Sequence, residues 1–214
     1  MTVFIVAIVE GHTERTALER LLQRVWLYLG RPERLQILDG VRVARSSLIH
    51  ANGVALAEAV EKVAIQLAPH LRRNPGCQSL LLIDIDAEKD CPAQLGPRLA
   101  SVAKAARGDL NIACVLAKRM FENWIVAGAS TLGGVLGLPD AIPARSDVEE
   151  MNGKTWLDTQ LRSVTPNSKY KNADYAVEFV KVMDLCEARS TSKSFNRLCK
   201  KLESIPLVPP PSEA

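Results

Sequence analysis

Short apolar segments alternate with segments of helical periodicity, and this alternation constrains the fold more than any other feature of the chain. Residues 3–9 are continuously apolar and rich in Val and Ile, as in a strand buried on both faces of a parallel sheet. Further strands are predicted over 35–43, where Gly40 interrupts the pattern, and in the segments SLLLIDID and LNIACVLAKR. Helical segments follow each of them, giving the order β-α-β-α-β-α-β-α. We therefore predict an α/β protein with a mostly parallel, Rossmann-like sheet and helices on both faces.

The character of the chain changes after residue 130. The next segment, TLGGVLGLPDAIPARSDVEEMNGK, is rich in Gly and Pro and is predicted to be irregular. Beyond it, apolar residues at helical spacing indicate one helix around Phe179 and another around Leu198. The expected organisation is an α/β domain over 1–130, an irregular segment plus helical appendage over 131–205, and a tail over 206–214.

Composition excludes several classes of protein. The five cysteines have no close pairing and the three histidines no ligand spacing, which argues against a disulfide framework and a zinc site. Any metal is therefore expected to be held by oxygen. The first apolar run is short, without a basic leader or a cleavage site, so we predict neither a signal peptide nor a membrane partner. A cytoplasmic protein is the expectation.

Acidic residues stand where two of the predicted strands end. Glu10 follows the first strand, and Asp84 and Asp86 lie at the end of the third. Ligands of open α/β sheets bind beyond the carboxyl ends of the strands, and a 2-1-3 strand order would make these two ends neighbours. Close carboxylates repel unless a cation lies among them, and Mg²⁺ prefers such oxygen ligands. The alternative is that these acids only mark where the chain leaves the core.

The motifs around these acids carry a resemblance. VEGHTE and LLIDID resemble the two signature elements of the Toprim fold, a metal-binding domain of topoisomerases, primases and nucleases of the overcoming-lysogenization-defect (OLD) type. The Glu-Gly-x-x-Glu form is similar to the OLD-type variety. FENW at 121–124 and KSFNRL at 193–198 resemble elements of small stand-alone Toprim-like proteins, which are often encoded beside ATPases of the AAA or ABC type.

The resemblance implies a function and a set of site residues. Mg²⁺ or Mn²⁺ would be held by Glu10, Asp84 and Asp86, and Glu14 would assist a second metal or orient a water. The implied activity is metal-dependent cleavage of phosphodiester bonds in nucleic acid, with an ATPase partner in a defence-type system. The implied alternative is a non-catalytic, metal-binding regulatory or scaffold subunit of such a system. Candidates for further catalytic roles, which surface solvation or packing would equally explain, are Lys118 or Arg119, and Glu122.

Basic residues concentrate near the C-terminus. Between Arg162 and Lys201 there are nine Lys or Arg against four Asp or Glu, whereas the formal net charge of the whole chain is only +3. Such a face is either a solvated helical surface or a contact for nucleic-acid phosphates, with DNA as the expected polymer. The candidate contacts are Arg119, Lys169, Lys171, Lys193, Arg197 and Lys200.

Two other interpretations of the motifs fit this sequence less well. LLLID could be the second motif of a phosphate-loop ATPase, but GKT at 153–155 has Val148 where the first glycine of the phosphate loop belongs. Asp-x-Asp after a strand also occurs in haloacid-dehalogenase-like phosphatases. Here the motif lies in the middle of the chain, Glu88 follows it, and Glu10 would have no role. The metal-dependent nuclease therefore remains the preferred interpretation.

Overall fold

The computed structural model describes residues 1–50, 52–142 and 145–206, with the backbone alone for 12–14 and 172–173. The predicted tail lies, apart from Pro206, outside the described residues. None of the described helices combines the length and apolar character needed to cross a bilayer. The strands are β1 (Thr2–Val9), β2 (Arg34–Ile37), β3 (Val41–Arg42), β4 (Gln78–Asp86) and β5 (Ile112–Ala117). The helices are α1 (His12–Tyr28), α2 (Arg45–Leu48), α3 (Val54–Arg73), α4 (Pro92–Ala106), α5 (Phe121–Ala127), α6 (Gly153–Val164), α7 (Asn172–Val182), α8 (Leu185–Thr191) and α9 (Lys193–Glu203).

The strands form one sheet in the order β2-β1-β4-β5, and β3 also pairs with β1. Every pairing among the described strands is parallel. Ala7 of β1 lies opposite Leu82 of β4, and Asp84 of β4 lies opposite Val115 of β5. The carboxyl ends of β1, β4 and β5 therefore meet at one edge of the sheet. The predicted α/β class is confirmed. The predicted adjacency of the first and third predicted strands, which are β1 and β4 in the structure, is also confirmed.

Side-chain alternation along the strands divides the core into two layers. Ile5 of β1 and Leu82 of β4 belong to the layer formed with α1 and α5 to α9. Phe4 and Ile83, one position away on the same strands, belong to the layer formed with α2, α3 and α4. Burying an aliphatic side chain of this size contributes roughly 1.5–3 kcal/mol, so both faces of the sheet stabilise the fold. Helices cover both faces, as predicted.

The C-terminal helices share the core of the sheet. Helix α7 packs on α1, and α9 packs along β5. Phe179 of α7 and Leu198 of α9 are fully buried in the same layer as the sheet residues. In addition, the guanidinium of Arg24 in α1 donates a 2.9 Å hydrogen bond to the carbonyl oxygen of Met183, just after α7. The predicted helical appendage is thus continuous with the α/β core.

The structure differs from the predicted elements in two places. The single strand predicted over 35–43 is divided into β2 and β3, and a Cβ atom at Gly40 would lie only 2.9 Å from the carbonyl oxygen of Ala7. The chain therefore passes β1 too closely at that point to continue a regular strand. The second difference lies in three helices that the sequence prediction omitted, α2, α6 and α8. The apolar spacing of α6 follows directly on the Gly- and Pro-rich segment.

Candidate active site at the carboxyl edge of the sheet

Glu10 and Asp86 meet where β1 and β4 end. Glu10 follows the last residue of β1, and Asp86 is the last residue of β4. The Oε1 atom of Glu10 accepts a 2.8 Å hydrogen bond from the backbone N–H of Asp86. Because the two strands are parallel neighbours, the two acidic turns lie side by side. The structure thus brings the carboxylate of Glu10 to the backbone of Asp86, another of the three acids that were predicted to converge.

Asp86 in turn holds the start of the helix that follows β5. Its Oδ1 atom accepts a 2.7 Å hydrogen bond from the backbone N–H of Phe121, the first residue of α5. The first N–H groups of a helix have no acceptor within the helix, and here a carboxylate supplies one. A series of hydrogen bonds therefore runs from Glu10 through Asp86 to α5 and places Glu122 next to the sheet edge.

Asp84 lies two residues deeper in β4 and is only 3% exposed. By alternation it shares a face of the sheet with Asp86, whereas the strand position of Glu10 belongs to the opposite face. Glu10 reaches Asp86 because it lies beyond the end of β1. Among the side chains that the structure describes, no three His, Cys, Asp or Glu residues form a group that could hold a metal ion. In place of the predicted three-carboxylate cluster, the Glu10 carboxylate accepts from the backbone of Asp86, the Asp86 carboxylate accepts from Phe121, and Asp84 lies deeper in β4.

Cys114 is a buried thiol on β5, close to Asp84. Burial, and secondly the charge of Asp84, raises the pKa of Cys114 to about 12. Only the thiolate is nucleophilic, and this thiol remains protonated at neutral pH. Cys114 also belongs to the core layer formed with α2, α3 and α4, on the face of the sheet opposite to that of Asp84.

Arg45, on the short helix α2, fixes the chain that follows β4. Its Nε–H donates to the carbonyl oxygen of Asp86 at 2.9 Å, and its Nη2 donates to that of Ala87 at 3.1 Å. The same guanidinium pairs with the carboxylates of Glu88, at 3.4 Å, and Asp90. Planar guanidinium groups suit such multiple contacts. Arg45 therefore holds the loop after Asp86 and is a positioning residue of the site.

Glu122 is a buried carboxylate, 2% exposed, on the first turn of α5. The Nζ atom of Lys154 lies 3.7 Å from its Oε1 atom, and the hydroxyl of Tyr170 donates to the same oxygen at 3.4 Å. Burial raises the pKa of Glu122 above its ordinary value of 4.5, and the charge of Lys154 opposes this rise. Burial and the neighbouring Glu122 raise the pKa of Tyr170, so the phenol remains a hydrogen-bond donor.

Glu10 also has a raised proton affinity. Burial raises its pKa above 4.5, and the nearby charge of Glu88 adds to this effect. The N–H of Asp86, the guanidinium of Arg45 and the ammonium of Lys154 oppose it, in that order. Lys154 thus acts on both Glu10 and Glu122. The site combines two acids of raised pKa with a partly exposed cation that interacts with each.

The segments FENW and KSFNRL contact each other behind these acids. The Nε1–H of Trp124 donates a 2.9 Å hydrogen bond to the Oγ atom of Ser194, and the rings of Trp124 and Phe195 meet edge to face at 5.8 Å. Ser194 Oγ also accepts a 3.2 Å hydrogen bond from the backbone N–H of Lys118. The first turn of α9 is therefore attached to the carboxyl end of β5.

Asn123 holds the segment that leads into α6. Its side-chain amide donates to the carbonyl oxygen of Met151 at 3.0 Å, and its Oδ1 atom accepts from the backbone N–H of Gly153 at 3.1 Å. A Cβ atom at Gly153 would lie 2.7 Å from Asn123 Oδ1 and 2.8 Å from the carbonyl carbon of Glu122. This approach requires glycine, and it brings the next residue, Lys154, to Glu122.

The other residues predicted to be catalytic lie around this centre. Lys118 contributes its backbone N–H to Ser194, and the guanidinium of Arg119 donates to the carbonyl oxygen of Glu150 at 3.2 Å. Both side chains are half-buried. Glu14 falls on the first turn of α1, and its side chain lies outside the described part of the structure. In the described contacts, Lys154 is the basic side chain that reaches Glu122.

Apart from Arg119, the basic residues predicted to contact nucleic acid form two groups. Lys169 and Lys171 are exposed and flank Tyr170, between α6 and α7. Lys193 and Arg197 are exposed on α9. Since Tyr170 contacts Glu122 and α9 begins beside Lys118, each group has one end near the carboxyl edge.

The sequence prediction missed Arg45, Lys154 and Tyr170. Arg45 stands 41 residues before Asp86, on a helix of four residues, so no local pattern indicated its contact. Tyr170 contacts a residue 48 positions away. For Lys154 a signal existed in the segment GKT at 153–155, which fails as a phosphate loop but places a lysine directly after a glycine at the start of a helix.

The fold and the site together define an α/β protein with a Rossmann-like parallel sheet and a composite acidic and basic centre at its carboxyl edge. Residues 9–203 match the family described as "Domain of unknown function (DUF4276)", and the chain belongs to this family. The matched region begins one residue before Glu10 and ends with α9, so it includes the sheet edge and the C-terminal helices. No curated protein and no solved structure matches the chain.

Proposed function

We propose that the protein is a metal-dependent nuclease that hydrolyses phosphodiester bonds in nucleic acid at the carboxyl edge of the sheet. The observation that supports this most is the hydrogen-bonded series from Glu10 through Asp86 to α5, which sets Glu122 and Lys154 beside the acids of the sheet edge. Open parallel sheets bind ligands at this edge. Here carboxylates that could bind a metal lie beside a lysine that could stabilise the negative charge developing on a phosphate ester.

The chemistry of the donor set fits a hard divalent cation. Glu10, Asp84 and Asp86 offer only carboxylate oxygens, and burial raises the pKa of Glu10, so a nearby cation would stabilise its charged form. These three residues do not form a three-ligand group in the observed arrangement, so to hold Mg²⁺ or Mn²⁺ Glu10 and Asp86 would have to leave the backbone N–H groups from which they accept. When bound, the metal would neutralise phosphate charge and acidify a water molecule.

The side chains on the helical side supply the proton and charge chemistry. The Glu122 carboxylate, with its raised pKa, takes a proton from the attacking water. Lys154, half-buried beside it, stabilises the negative charge that develops on the phosphate. Tyr170 orients the Glu122 carboxylate by donating to its Oε1 atom. Arg45 holds the loop after Asp86 so that the acids keep their arrangement.

The proposed partner is an ATPase of the AAA or ABC type, in a defence-type system. This part of the proposal rests on the resemblance of FENW and KSFNRL to elements of small stand-alone Toprim-like proteins. Co-expression with an ATPase encoded beside this chain should give a complex that elutes together in size-exclusion chromatography. Separate elution of the two chains, in the presence and absence of ATP, would contradict the partnership.

A regulatory or scaffold subunit without catalysis is the second candidate. It is favoured by the hydrogen bonds that already occupy the edge, because Glu10 accepts from Asp86 and Asp86 accepts from Phe121. Carboxylates engaged in this way can stabilise a fold without performing chemistry. In this case metal binding would stabilise the protein, and no phosphodiester would be cleaved.

Hydrolysis of bis(p-nitrophenyl) phosphate with Mn²⁺ tests the nuclease directly, because this small diester needs only the catalytic edge. Glu122→Gln should lower kcat about 100-fold or more, as expected when a general base is removed. Glu58→Gln, an exposed carboxylate on α3, is the matched control and should retain the wild-type rate. Equal rates in wild type and Glu122→Gln would contradict the assignment. Absence of hydrolysis, with stabilisation by Mn²⁺ retained, would favour the second candidate.

A further inference from the structure

Helix α9 is the most strongly two-sided helix of the C-terminal region. Its inner face is apolar, with Phe195, Leu198 and Leu202 fully buried. Ser192 begins it as an N-cap, its Oγ atom accepting a 3.1 Å hydrogen bond from the backbone N–H of Phe195. The other face carries four basic residues, spaced four, three and one positions apart, and residues at this spacing share one side of a helix. These residues are Lys193, Arg197, Lys200 and Lys201.

An open groove of about 540 Å³ follows this basic face. Its lining, as far as the described residues show, contains no acid, and none of its four cations forms an ion pair with a described residue. The acid at the end of α9, Glu203, is instead paired with Arg189 at 2.8 Å. The positive charge of the face is therefore not neutralised by any of the residues that the structure describes. The lining residues are Lys193, Asn196, Arg197, Lys200, Lys201 and Ser204.

The groove begins near the candidate active site. The first turn of α9 is attached to the carboxyl end of β5, where Ser194 accepts from the backbone N–H of Lys118. Farther along, the charges of Arg197 and Lys201 act on Cys114, which lies in the middle of β5. Because β5 is the outermost strand at this side of the sheet, the basic face runs from the carboxyl edge back along the flank of the molecule.

We infer that this α9 groove is a binding track for the phosphodiester backbone of a nucleic acid, distinct from the carboxylates that would perform cleavage. The identity of the polymer rests on the proposed function. At a rise of about 1.5 Å per residue, Lys193 and Lys200 are about 10 Å apart along the helix axis. One strand of a duplex carries a phosphate about every 3.4 Å, so this length corresponds to about three phosphates. The side-chain amide of Asn196 adds a neutral hydrogen-bond donor along the same path.

Fluorescence anisotropy with labelled DNA and RNA oligonucleotides, in EDTA and over a salt series, tests the track without cleavage. The double variant Arg197→Ala with Lys200→Ala should bind more weakly. Its plot of log K against log salt should be shallower, with a slope less negative by about 2. The matched control is Lys62→Ala with Lys104→Ala, which removes the same charge from exposed positions of α3 and α4. This control should keep the wild-type slope.

Three results would overturn the track. Equal slopes for the two double variants would show that only the net charge of the protein matters and not the α9 groove. Failure of the wild type to bind DNA or RNA would show that the groove does not bind nucleic acid. Displacement of DNA by polyglutamate at equal charge concentration would indicate an acidic protein as the partner. The nuclease is judged separately, by hydrolysis of the small diester. A wild type that binds DNA through α9 but hydrolyses no diester would refute the nuclease and support the track.

Discussion

The site has two sides that are held in different ways. The first, the acidic edge, consists of Glu10, Asp84 and Asp86, which are placed by the pairing of two neighbouring parallel strands. The second, the helical wall, consists of Glu122, Lys154 and the contacts of α5 with α6 and α9. The wall depends on contacts between residues that are separated by 30 to 76 positions in the sequence. The edge is part of the sheet itself, whereas the wall exists only when the C-terminal helices are packed.

In the proposed function, this difference corresponds to separate tasks for the two sides. A sheet edge is rigid and presents acids of one kind, which suits the binding of a cation. The wall supplies a cation, a buried acid and a phenol whose spacing depends on tertiary packing, which suits charge stabilisation and proton transfer. Perturbing the wall should therefore change chemistry and stability together, and perturbing the edge should change metal binding first.

The largest expected effect is the loss of the aromatic contact behind the wall. Trp124→Ala should lower the free energy of unfolding by about 3–5 kcal/mol, because it leaves a large cavity and removes the hydrogen bond to Ser194. Urea unfolding measures this. Trp26→Ala is the matched control, since Trp26 is also buried in this layer and its Nε1–H donates to the carbonyl oxygen of Glu33 at 2.8 Å.

Both tryptophan variants should lose similar stability, but only Trp124→Ala should also slow hydrolysis of the small diester at temperatures where each remains folded. Trp124 adjoins Glu122 in sequence and contacts the helix attached to Lys118, whereas Trp26 contacts Glu33 and Arg31. Equal rates in the two variants would show that the helical wall does not control hydrolysis, and the proposed difference between the two sides would be wrong.

A smaller effect is expected where α6 approaches α5. Gly153→Ala should cost about 1–3 kcal/mol, because the new methyl group would overlap Asn123 and the backbone of Glu122. Gly96→Ala is the control: its Cβ would meet only Leu116 Cδ1, at 3.5 Å, inside helix α4. Inside a helix, alanine is more favourable than glycine by about 1 kcal/mol, so the stability of this variant should equal or slightly exceed that of the wild type. Thermal unfolding of the two variants gives the comparison, and equal melting temperatures would refute the close contact.

The two sides also differ in how far they could be predicted. The apolar run before Glu10 and the segment LLIDID identify two buried strands, and strand order alone makes their ends neighbours. Glu122 was recognised because it departs from the apolar pattern of FENW. Its partners were not, since Lys154 and Tyr170 approach it through the folding of an irregular segment whose path no periodicity describes. The contact of Arg45 with the carbonyl oxygen of Asp86 spans 41 residues and starts from a helix of only four residues, so no local pattern indicates it.

Next in size is the pH dependence of stability at the wall. The folded protein raises the pKa of Glu122 above its ordinary value of 4.5, so it holds this proton more tightly than the unfolded chain does. The stability of the wild type should therefore fall as pH rises through the folded pKa. Glu122→Gln cannot titrate, so its stability relative to the wild type should be lowest below about pH 4.5 and should increase towards pH 7. Urea midpoints over this range measure the trend, with Glu58→Gln as the baseline for an exposed carboxylate. A relative stability that does not change with pH would contradict the raised pKa.

The smallest expected effect, stabilisation by metal, separates the two sides most clearly. A ligand at ten times its Kd stabilises the folded state by about 1.4 kcal/mol, and for a chain of this size each kcal/mol raises Tm by about 2–4 °C. Millimolar Mn²⁺ should therefore raise the Tm of the wild type and of Glu58→Gln by a few degrees. Glu10→Gln and Asp84→Asn should lose this shift, because both remove a carboxylate of the acidic edge. If the shift survives in these variants but disappears in Glu122→Gln, the metal belongs to the helical wall, and the division of tasks proposed for the two sides is wrong.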